Sequence, residues 1–281
     1  MRIASSILAV LLLEGFLSCG LLSAQETRES THATLIGIGS VRQQDTYLSP
    51  LNYKGTQVQF LYETLRPSRR GGGRWTMQSI WQGNLSYTDS PTSNANNLGG
   101  DIGYNFAMHY NWLLGNAPSG LRLQLGPQLN VNAGALYNTR NGNNPAQAIV
   151  NAGVSVSMAA IYGFRIKRQP FLVRNQLDVP VVGLKFSPNY GQSYYEIFSE
   201  GNSDHNLCAT TPFNAPCLRN LLTVDIPFRR STLRAGYLID IRQSHLHELK
   251  YHSYTHAFMI GWVRHISYKK SRRQMPDGFI M

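Results

Sequence analysis

Apolar and polar residues alternate along much of the chain with a period of two. From 102 to 112 the even positions carry large apolar side chains and the odd positions carry small or polar ones. Segments 121–133 and 150–164 repeat the pattern. Because successive side chains of a strand point to opposite faces, this alternation predicts β-strands with one apolar and one polar face. The first apolar row comprises Ile102, Tyr104, Phe106, Met108, Tyr110 and Trp112.

These alternating runs are longer than the strands of soluble sheets, which average about 5–6 residues. A tilted strand needs about 9–11 residues to cross a bilayer. The polar face consists mainly of Asn, Gln, Ser and Gly, which favours a crowded, wet lumen over a surface in bulk water. We therefore predict an all-β fold: a closed, antiparallel, up-and-down transmembrane β-barrel of about ten strands.

Turn residues between the runs predict where the strands end. The connections alternate between long and short, as in barrels of the outer membrane. Twelve strands are the alternative, because the longest connection has room for a further hairpin through 194–198. We expect strands at 33–41, 55–66, 74–87, 101–114, 120–135, 149–166, 170–182, 219–228, 231–242 and 253–268. The long connections are then 42–54, 88–100, 136–148, 183–218 and 243–252.

The polar face of two neighbouring strands supplies the candidate lumen residues. These side chains must be either hydrated or hydrogen-bonded to one another, since a buried unpaired polar group costs about 1–3 kcal/mol. The predicted lumen-facing residues are Asn105, His109, Asn111, Arg122, Gln124, Gln128, Asn130 and Asn132.

The composition supports a membrane-embedded barrel. Charged residues make up only 15% of the chain, against about 25% in soluble domains. The 26 basic and 15 acidic residues leave a net charge of +11, and half of the basic residues cluster beside the short connections. Such clusters favour either attraction to anionic lipid or an acidic partner, or long side chains that reach the interface. The clusters are Arg66, Arg69, Arg70 and Arg74; Arg165, Lys167 and Arg168; Arg229 and Arg230; and Lys269, Lys270, Arg272 and Arg273.

The N-terminus has the pattern of a cleavable signal peptide at 1–24. A basic residue at position 2 precedes an apolar stretch, and Leu22-Ser23-Ala24 offers a small-residue cleavage site. The rest, 25–281, is then a single exported domain of the outer membrane, with membrane lipid as its surroundings and no nucleic-acid partner. Lipidation at Cys19 is the alternative treatment of this segment.

Export also bears on the two cysteines of the mature chain. Cys208 and Cys217 are separated by eight residues of a predicted loop. In an oxidising compartment such a pair favours a local disulfide, which we predict here as a structural link without redox activity.

The sequence holds no strong catalytic or cofactor motif, so we predict no enzyme activity, no cofactor and no metal. Four histidines lie between 245 and 256, and two of them have the spacing that a zinc site would need, but four histidines in or beside one outer loop favour a solvated loop. Asp240, His252 and Ser253 are the candidates for a hydrolase. Neighbouring residues on a strand face opposite ways, however, which argues against that site.

Four segments resemble an uncharacterised family of exported proteins from gut-dwelling Gram-negative bacteria. They are DTYLSP at 45–50, YNTRNGNNPA at 137–146, SPNYGQSYYEIF at 187–198 and YTHAFMIG at 254–261. The resemblance covers nearly all of the mature chain. It implies a barrel-like protein of the outer membrane and no known activity, so no functional residue can be transferred.

Three functions are therefore considered. The first is a narrow pore or a barrel that handles a small solute of unknown identity. The second is a non-conducting surface or structural barrel that binds a partner through 42–54, 136–148 and 183–218. The third is an enzyme that modifies lipid or peptide. Since a barrel of eight strands is about filled by its own side chains, ten strands leave little free lumen, and the second function rivals the first.

Overall fold

A computed structural model of the chain describes residues 27–68, 74–90, 92, 94–115, 120–142, 144–167, 169–228 and 231–269, with only the backbone given for 27–29 and 267–269. Ser30–His265 forms one compact unit. The remaining described residues at the two ends, 27–29 and 266–269, belong to a second unit. The predicted signal peptide at 1–24 and Cys19 lie outside the described residues.

Long antiparallel strands make up most of the described chain. The strands are β1 Thr27–Asp45, β2 Ser49–Pro67, β3 Trp75–Asp89, β4 Asn96–Leu114, β5 Leu121–Asn138, β6 Ala146–Ile166, β7 Gln169–Phe186, β8 Leu207–Thr210, β9 Leu218–Pro227, β10 Thr232–Leu246 and β11 Leu249–Lys269. A short helix, α1, covers Tyr194–Phe198. No helix in this part of the chain is both long and apolar enough to cross a membrane.

The strands close into an antiparallel barrel of ten strands. Each strand from β1 to β6 pairs with the next, and β7 pairs with β9. The circuit is completed by the pairs β9–β10, β10–β11 and β11–β1. The short strand β8 pairs with the last four residues of β7, Gly183 to Phe186, and is not one of the ten strands of this circuit. The predicted fold and the count of ten strands are confirmed.

The wall is tightly closed where β11 meets β1. A Cβ atom on Gly261 would lie 1.8 Å from the carbonyl oxygen of Thr34, and one on Gly39 would lie 1.9 Å from that of His256. Such distances are far below van der Waals contact. Glycine therefore permits the close approach of the two strands that complete the barrel.

The alternative with a twelfth strand is wrong, because the segment that would form the extra hairpin is helical. Ser193 caps α1: its side chain accepts a hydrogen bond from the Glu196 amide, and the Glu196 carboxylate accepts one from the Ser193 amide. This reciprocal capping box satisfies two amides that a helix start leaves free, and it favours a helical turn over a strand.

Several connections are shorter than the sequence predicts. Strands β1 and β2 extend through most of 42–54, with Arg42 paired to Lys54, so the turn is only 46–48. Strands β10 and β11 similarly leave only His247 and Glu248 between them. The barrel thus has a short-turn end, where β2 leads to β3, β4 to β5, β6 to β7 and β9 to β10. At its opposite, loop end, β1 leads to β2, β3 to β4, β5 to β6, β7 through α1 and β8 to β9, and β10 to β11.

The two faces of the wall differ as the alternation predicts. Large apolar side chains face outwards on most of the barrel strands: Ile102 is 66% exposed and Phe258 is 73% exposed. Their sequence neighbours point inwards and are buried, many of them polar. On the outer face, Trp75, Tyr110 and Trp112 pack edge to face near the short-turn end.

Of the predicted basic clusters, Arg66, Arg74, Arg165 and Lys167 lie beside short turns in the described chain. The structure gives no side chain for Lys269. The remaining predicted positions, Arg69, Arg70, Arg168, Arg229, Arg230, Lys270, Arg272 and Arg273, lie outside the described residues.

Candidate functional site

An ionic network crosses the lumen towards the short-turn end of the barrel. The Glu63 carboxylate of β2 accepts hydrogen bonds from Arg174 of β7 and Arg234 of β10, each at 2.6 Å. Arg234 also donates through Nε and Nη2 to the two oxygens of Asp225, at 2.6 and 2.8 Å. Because β2 is adjacent to neither β7 nor β10 in the wall, these contacts span the interior.

Amide and hydroxyl groups extend this network. Gln78 donates to Glu63 at 2.6 Å and to Gln176, across the lumen, at 2.8 Å. Ser157 donates to Asp178 at 2.6 Å and contacts the His109 ring at 2.9 Å. The name lumenal network is used below for Glu63, Gln78, His109, Ser157, Arg174, Gln176, Asp178, Asp225 and Arg234. All nine side chains are buried.

An apolar cluster is packed in the interior beside the lumenal network. It brings together buried side chains from β1, β2, β3, β10 and β11, with Leu221 of β9 against it. Interior positions are thus filled by hydrocarbon as well as by paired charges. The cluster consists of Ala33, Leu35, Leu61, Ile80, Leu238, Ala257, Met259 and Val263.

On the side of the loop end, the lumen holds a cavity of about 160 Å³. Its charged lining residues are Lys185, Arg219, Arg242, Asp178 and Asp240. Arg242 forms ion pairs with Asp240 at 2.8 Å and with Asp101 at 2.9 Å. Lys185 donates to Ser244 at 2.7 Å and lies 4.3 Å from the centre of the Tyr251 ring.

Side chains of several loops meet at the loop end. The Tyr47 hydroxyl donates to the carbonyl of Gln192 at 2.9 Å, and its ring packs edge to face on Tyr194. Tyr194 in turn donates to Gln147 at 3.1 Å. Burial raises the pKa of both tyrosines above the ordinary value, which favours the neutral hydroxyl that donates these hydrogen bonds.

Most of the predicted lumen residues point inwards. Asn105, His109, Gln124, Gln128 and Asn132 are buried. Gln124 donates to Asn111 at 2.7 Å, and Asn130 donates to Ser155. Arg122 differs: it is exposed near the short-turn end. The cavity lining includes Asn105, Gln128, Asn130 and Asn132, and His109 belongs to the lumenal network.

The predicted disulfide is not formed, since Cys208 and Cys217 are both free thiols. Cys208 lies on β8, where its sulfur is 3.4 Å from the His247 ring. Cys217 instead contacts Gln243 of β10 at 3.4 Å. The two residues lie beside different strands. Cys208 is on β8, which pairs with β7, whereas the chain at Cys217 has turned towards β10. This explains why their short separation in sequence does not produce a link.

The hydrolase candidates are not assembled. Asp240 and Ser253 are buried in the lumen, whereas the His252 ring stacks with the outward-facing Tyr254. No group of three or more potential metal ligands is found within the described residues.

Apart from His109, sequence reasoning missed the lumenal network. The available signal was a charged residue at an inward position of β2, β7 and β10, at Glu63, Arg174 and Arg234. Their partners could not be inferred from the sequence, because contacts across a lumen depend on how the barrel closes.

The chain matches one protein family and is similar to several solved structures. A family model described as "Protein of unknown function (DUF3316)" matches residues 6–273. No curated protein matches the chain. The chain is similar to the translocator domain of the autotransporter NalP from Neisseria meningitidis, with 11% identity, a TM-score of 0.39, and coverage of 92% of this chain and 97% of that one.

Two further structures have barrels that resemble this one. The transport unit of the autotransporter AIDA-I from Escherichia coli has 10% identity and a TM-score of 0.40, with coverage of 87% and 94%. An outer membrane channel from Pseudomonas putida F1 has 8% identity and a TM-score of 0.37, with coverage of 88% and 98%. At identities this low the likeness concerns the barrel fold alone.

Proposed function

We propose that this chain, which belongs to the DUF3316 family of proteins of unknown function, is an outer-membrane barrel of a Gram-negative bacterium that binds a small solute in a closed lumen. In this proposal the barrel is not an open diffusion pore and carries out no catalytic step. Its partners are the lipid around the wall and the solute in the cavity.

The apolar exterior supports the membrane location. Side chains such as Ile38, Leu85, Ile102 and Phe258 are 60–75% exposed on the outer face. Soluble monomers rarely expose apolar patches beyond a few hundred Å², and a wall with hydrocarbon outside and polar groups inside is the arrangement of a membrane barrel. The signal peptide predicted at 1–24 supports the same location.

The lumenal network is the observation that supports a closed lumen. Glu63, Arg174 and Arg234 meet at hydrogen-bonding distance from three sides of the barrel. Buried charges are stable only when paired and hydrogen-bonded. An ion that passed this level would have to separate those pairs, so the resting barrel resists conduction, while the cavity on the loop-end side can hold a solute.

Planar-bilayer recording tests this proposal. The refolded wild type should give no stepwise current, whereas Glu63→Ala combined with Arg174→Ala should give discrete steps. This pair removes one anion and one cation and leaves Arg234 bound to Asp225, so the charge balance of the lumen is kept. A suitable control combines Lys54→Ala with Asp89→Ala, which are exposed, cross-strand neighbours near the loop end.

The control variant should be as silent as the wild type. Sustained current through the wild type would contradict the closed lumen. So would a silent Glu63→Ala/Arg174→Ala barrel whose folded state is verified by its heat-modifiable mobility in electrophoresis.

A further inference from the structure

The barrel wall has an interruption between β7 and its neighbours. The part of β7 nearer the short-turn end pairs with β9, and the last of these pairs joins Asp178 to Arg219. The part nearer the loop end pairs with β8, beginning with the pair of Gly183 and Thr210. Residues 179–182 of β7 therefore have no ladder partner on this side within the described chain. At about 3.3 Å per residue, the interruption is roughly 13 Å long.

The opposite edge of the interruption is a loop. The eight residues 211–218 connect the end of β8 to the first pair of β9 with β7. The name window is used below for 179–182 together with 211–218. Pro180 lies within it, and proline has no amide proton to donate to a ladder, so the sequence itself disfavours continuous pairing here.

The cavity in the lumen reaches this window. Pro180 and Val182 from one edge and Ala215, Cys217 and Leu218 from the other all line the cavity. Val182 is also 53% exposed on the outer face. The same cavity is thus bounded by buried polar groups of the lumen and by the apolar surface that faces lipid.

The cavity offers cationic groups to a ligand. Arg242 is already paired with two carboxylates. Among the described residues, neither Lys185 nor Arg219 makes an ion pair, and Asp178, which also lines the cavity, already accepts hydrogen bonds from Ser157 and Gln176. Lys185 and Arg219 therefore face the cavity outside any ion pair of the described residues, although Arg219 is the cross-strand neighbour of Asp178 on β7 and of Asp240 on β10.

A buried acceptor adds to this polar lining. The Gln128 side chain is 2% exposed, and its oxygen has no hydrogen-bond donor within the described chain. A ligand that carries a hydroxyl or a protonated acid group beside its charge could satisfy that oxygen.

We propose that the window admits a single-chain anionic amphiphile from the bilayer and that Arg219 and Lys185 bind its head group, a carboxylate or a phosphate. This inference rests on the solute-binding role proposed above and names the class of ligand. A cavity of about 160 Å³ has room for a head group, since one water requires only about 10–15 Å³ of such space. The apolar tail then stays in the window and the surrounding lipid, beside Val182.

Cys217 provides a built-in reporter of occupancy because it lines the cavity. With Cys19→Ser and Cys208→Ser, it is the remaining thiol of the three in the chain. The rate at which N-ethylmaleimide modifies it is measured in phosphatidylcholine vesicles. The probes are dodecanoate, dodecyl phosphate and, as a neutral control, dodecanol.

We expect dodecanoate, dodecyl phosphate or both to slow the modification at least tenfold, and dodecanol to have little effect. The two anions distinguish a fatty acid from a phosphate ligand. Arg219→Gln and Lys185→Gln, made separately, should each raise the half-protecting concentration at least tenfold. Arg42→Gln, an exposed position on β1, should leave it unchanged.

Lateral entry is tested at the window itself. Val182→Trp should slow the onset of protection by membrane-dissolved dodecanoate at least tenfold, whereas protection by water-soluble propionate should start as fast as before. Val150→Trp is the matched control, since Val150 is 46% exposed on the outer face of β6 and does not line the cavity.

Equal protection by dodecanol, or unchanged protection in both Arg219→Gln and Lys185→Gln, would overturn the proposal. Equal effects of Val182→Trp and Val150→Trp would overturn entry through the window. These outcomes are independent of the bilayer currents: a conducting wild type that is still protected refutes the closed lumen alone, and a silent barrel without protection refutes the amphiphile alone.

Discussion

At the scale of single residues, Glu63 holds the lumenal network together. Its carboxylate forms ion pairs with both Arg174 and Arg234, and Asp225 forms a further ion pair with Arg234. These ion pairs bury two anions and two cations, and Asp178 is a further buried carboxylate of the network, hydrogen-bonded to Ser157 and Gln176. Burying charges is expensive by itself, and the loss of one partner leaves another charge uncompensated, which typically costs about 3–5 kcal/mol.

We therefore expect Glu63→Ala to lower the free energy of unfolding in lipid vesicles, measured with urea, by about 3–5 kcal/mol. Glu63→Gln keeps the size and some hydrogen bonds and should lower it less. Asp89→Asn, an exposed change at the end of β3, should stay within about 0.5 kcal/mol of the wild type. Similar values for Glu63→Ala and Asp89→Asn would mean that the charge balance of the lumen contributes little to stability.

At the scale of elements, the hairpin of β10 and β11 contains a strained turn. Its two residues, His247 and Glu248, have φ values of 50° and 65°. Two-residue hairpin turns of this type need positive φ at both positions and favour Asn-Gly, whereas other residues in this conformation cost about 1–2 kcal/mol each. His247 contacts Cys208, while Glu248 is exposed.

Glu248→Gly should consequently raise the free energy of unfolding by about 0.5–1 kcal/mol, after allowance for the greater freedom of glycine in the unfolded chain. Urea titration in the same vesicles measures the change. Glu248→Ala removes the same side chain but still requires positive φ, so it should give no such gain. A gain of the same size from alanine would attribute the effect to the side chain and not to the backbone.

The same elements indicate how much the sequence could predict. The ten strands followed from alternation, because lipid outside and polar groups inside force every second residue to differ. The parts of β1 and β2 next to the turn that joins them were not predicted, because polar residues occur on both faces from Gln43 to Tyr53. The period of two therefore disappears there, although the two strands remain paired. Helix α1 depended on a capping box in a long loop. The contacts of Cys208 and Cys217 depended on which strand each segment joins, and no local pattern specifies that.

At the scale of the whole barrel, the interior and exterior are matched to different surroundings. Paired charges and an apolar cluster fill part of the lumen, and the exterior presents large apolar side chains. Such an exterior has low free energy only against hydrocarbon. The location of the protein should therefore be measurable as a penalty for charge that depends on depth along a strand.

Strand β11 offers a matched pair of positions for this measurement. Phe258 lies near the middle of the strand and is 73% exposed, and His252 faces outwards close to the turn at the loop end. In bilayers, Phe258→Arg should lower the free energy of unfolding by about 2–4 kcal/mol, and His252→Arg by about 0–1 kcal/mol, because an outward-facing charge is costly at the bilayer centre and tolerated at the interface. The measurement is urea unfolding in phosphatidylcholine vesicles. Equal penalties at the two depths, or a folded wild type that stays dissolved without detergent or lipid, would contradict a membrane-embedded wall.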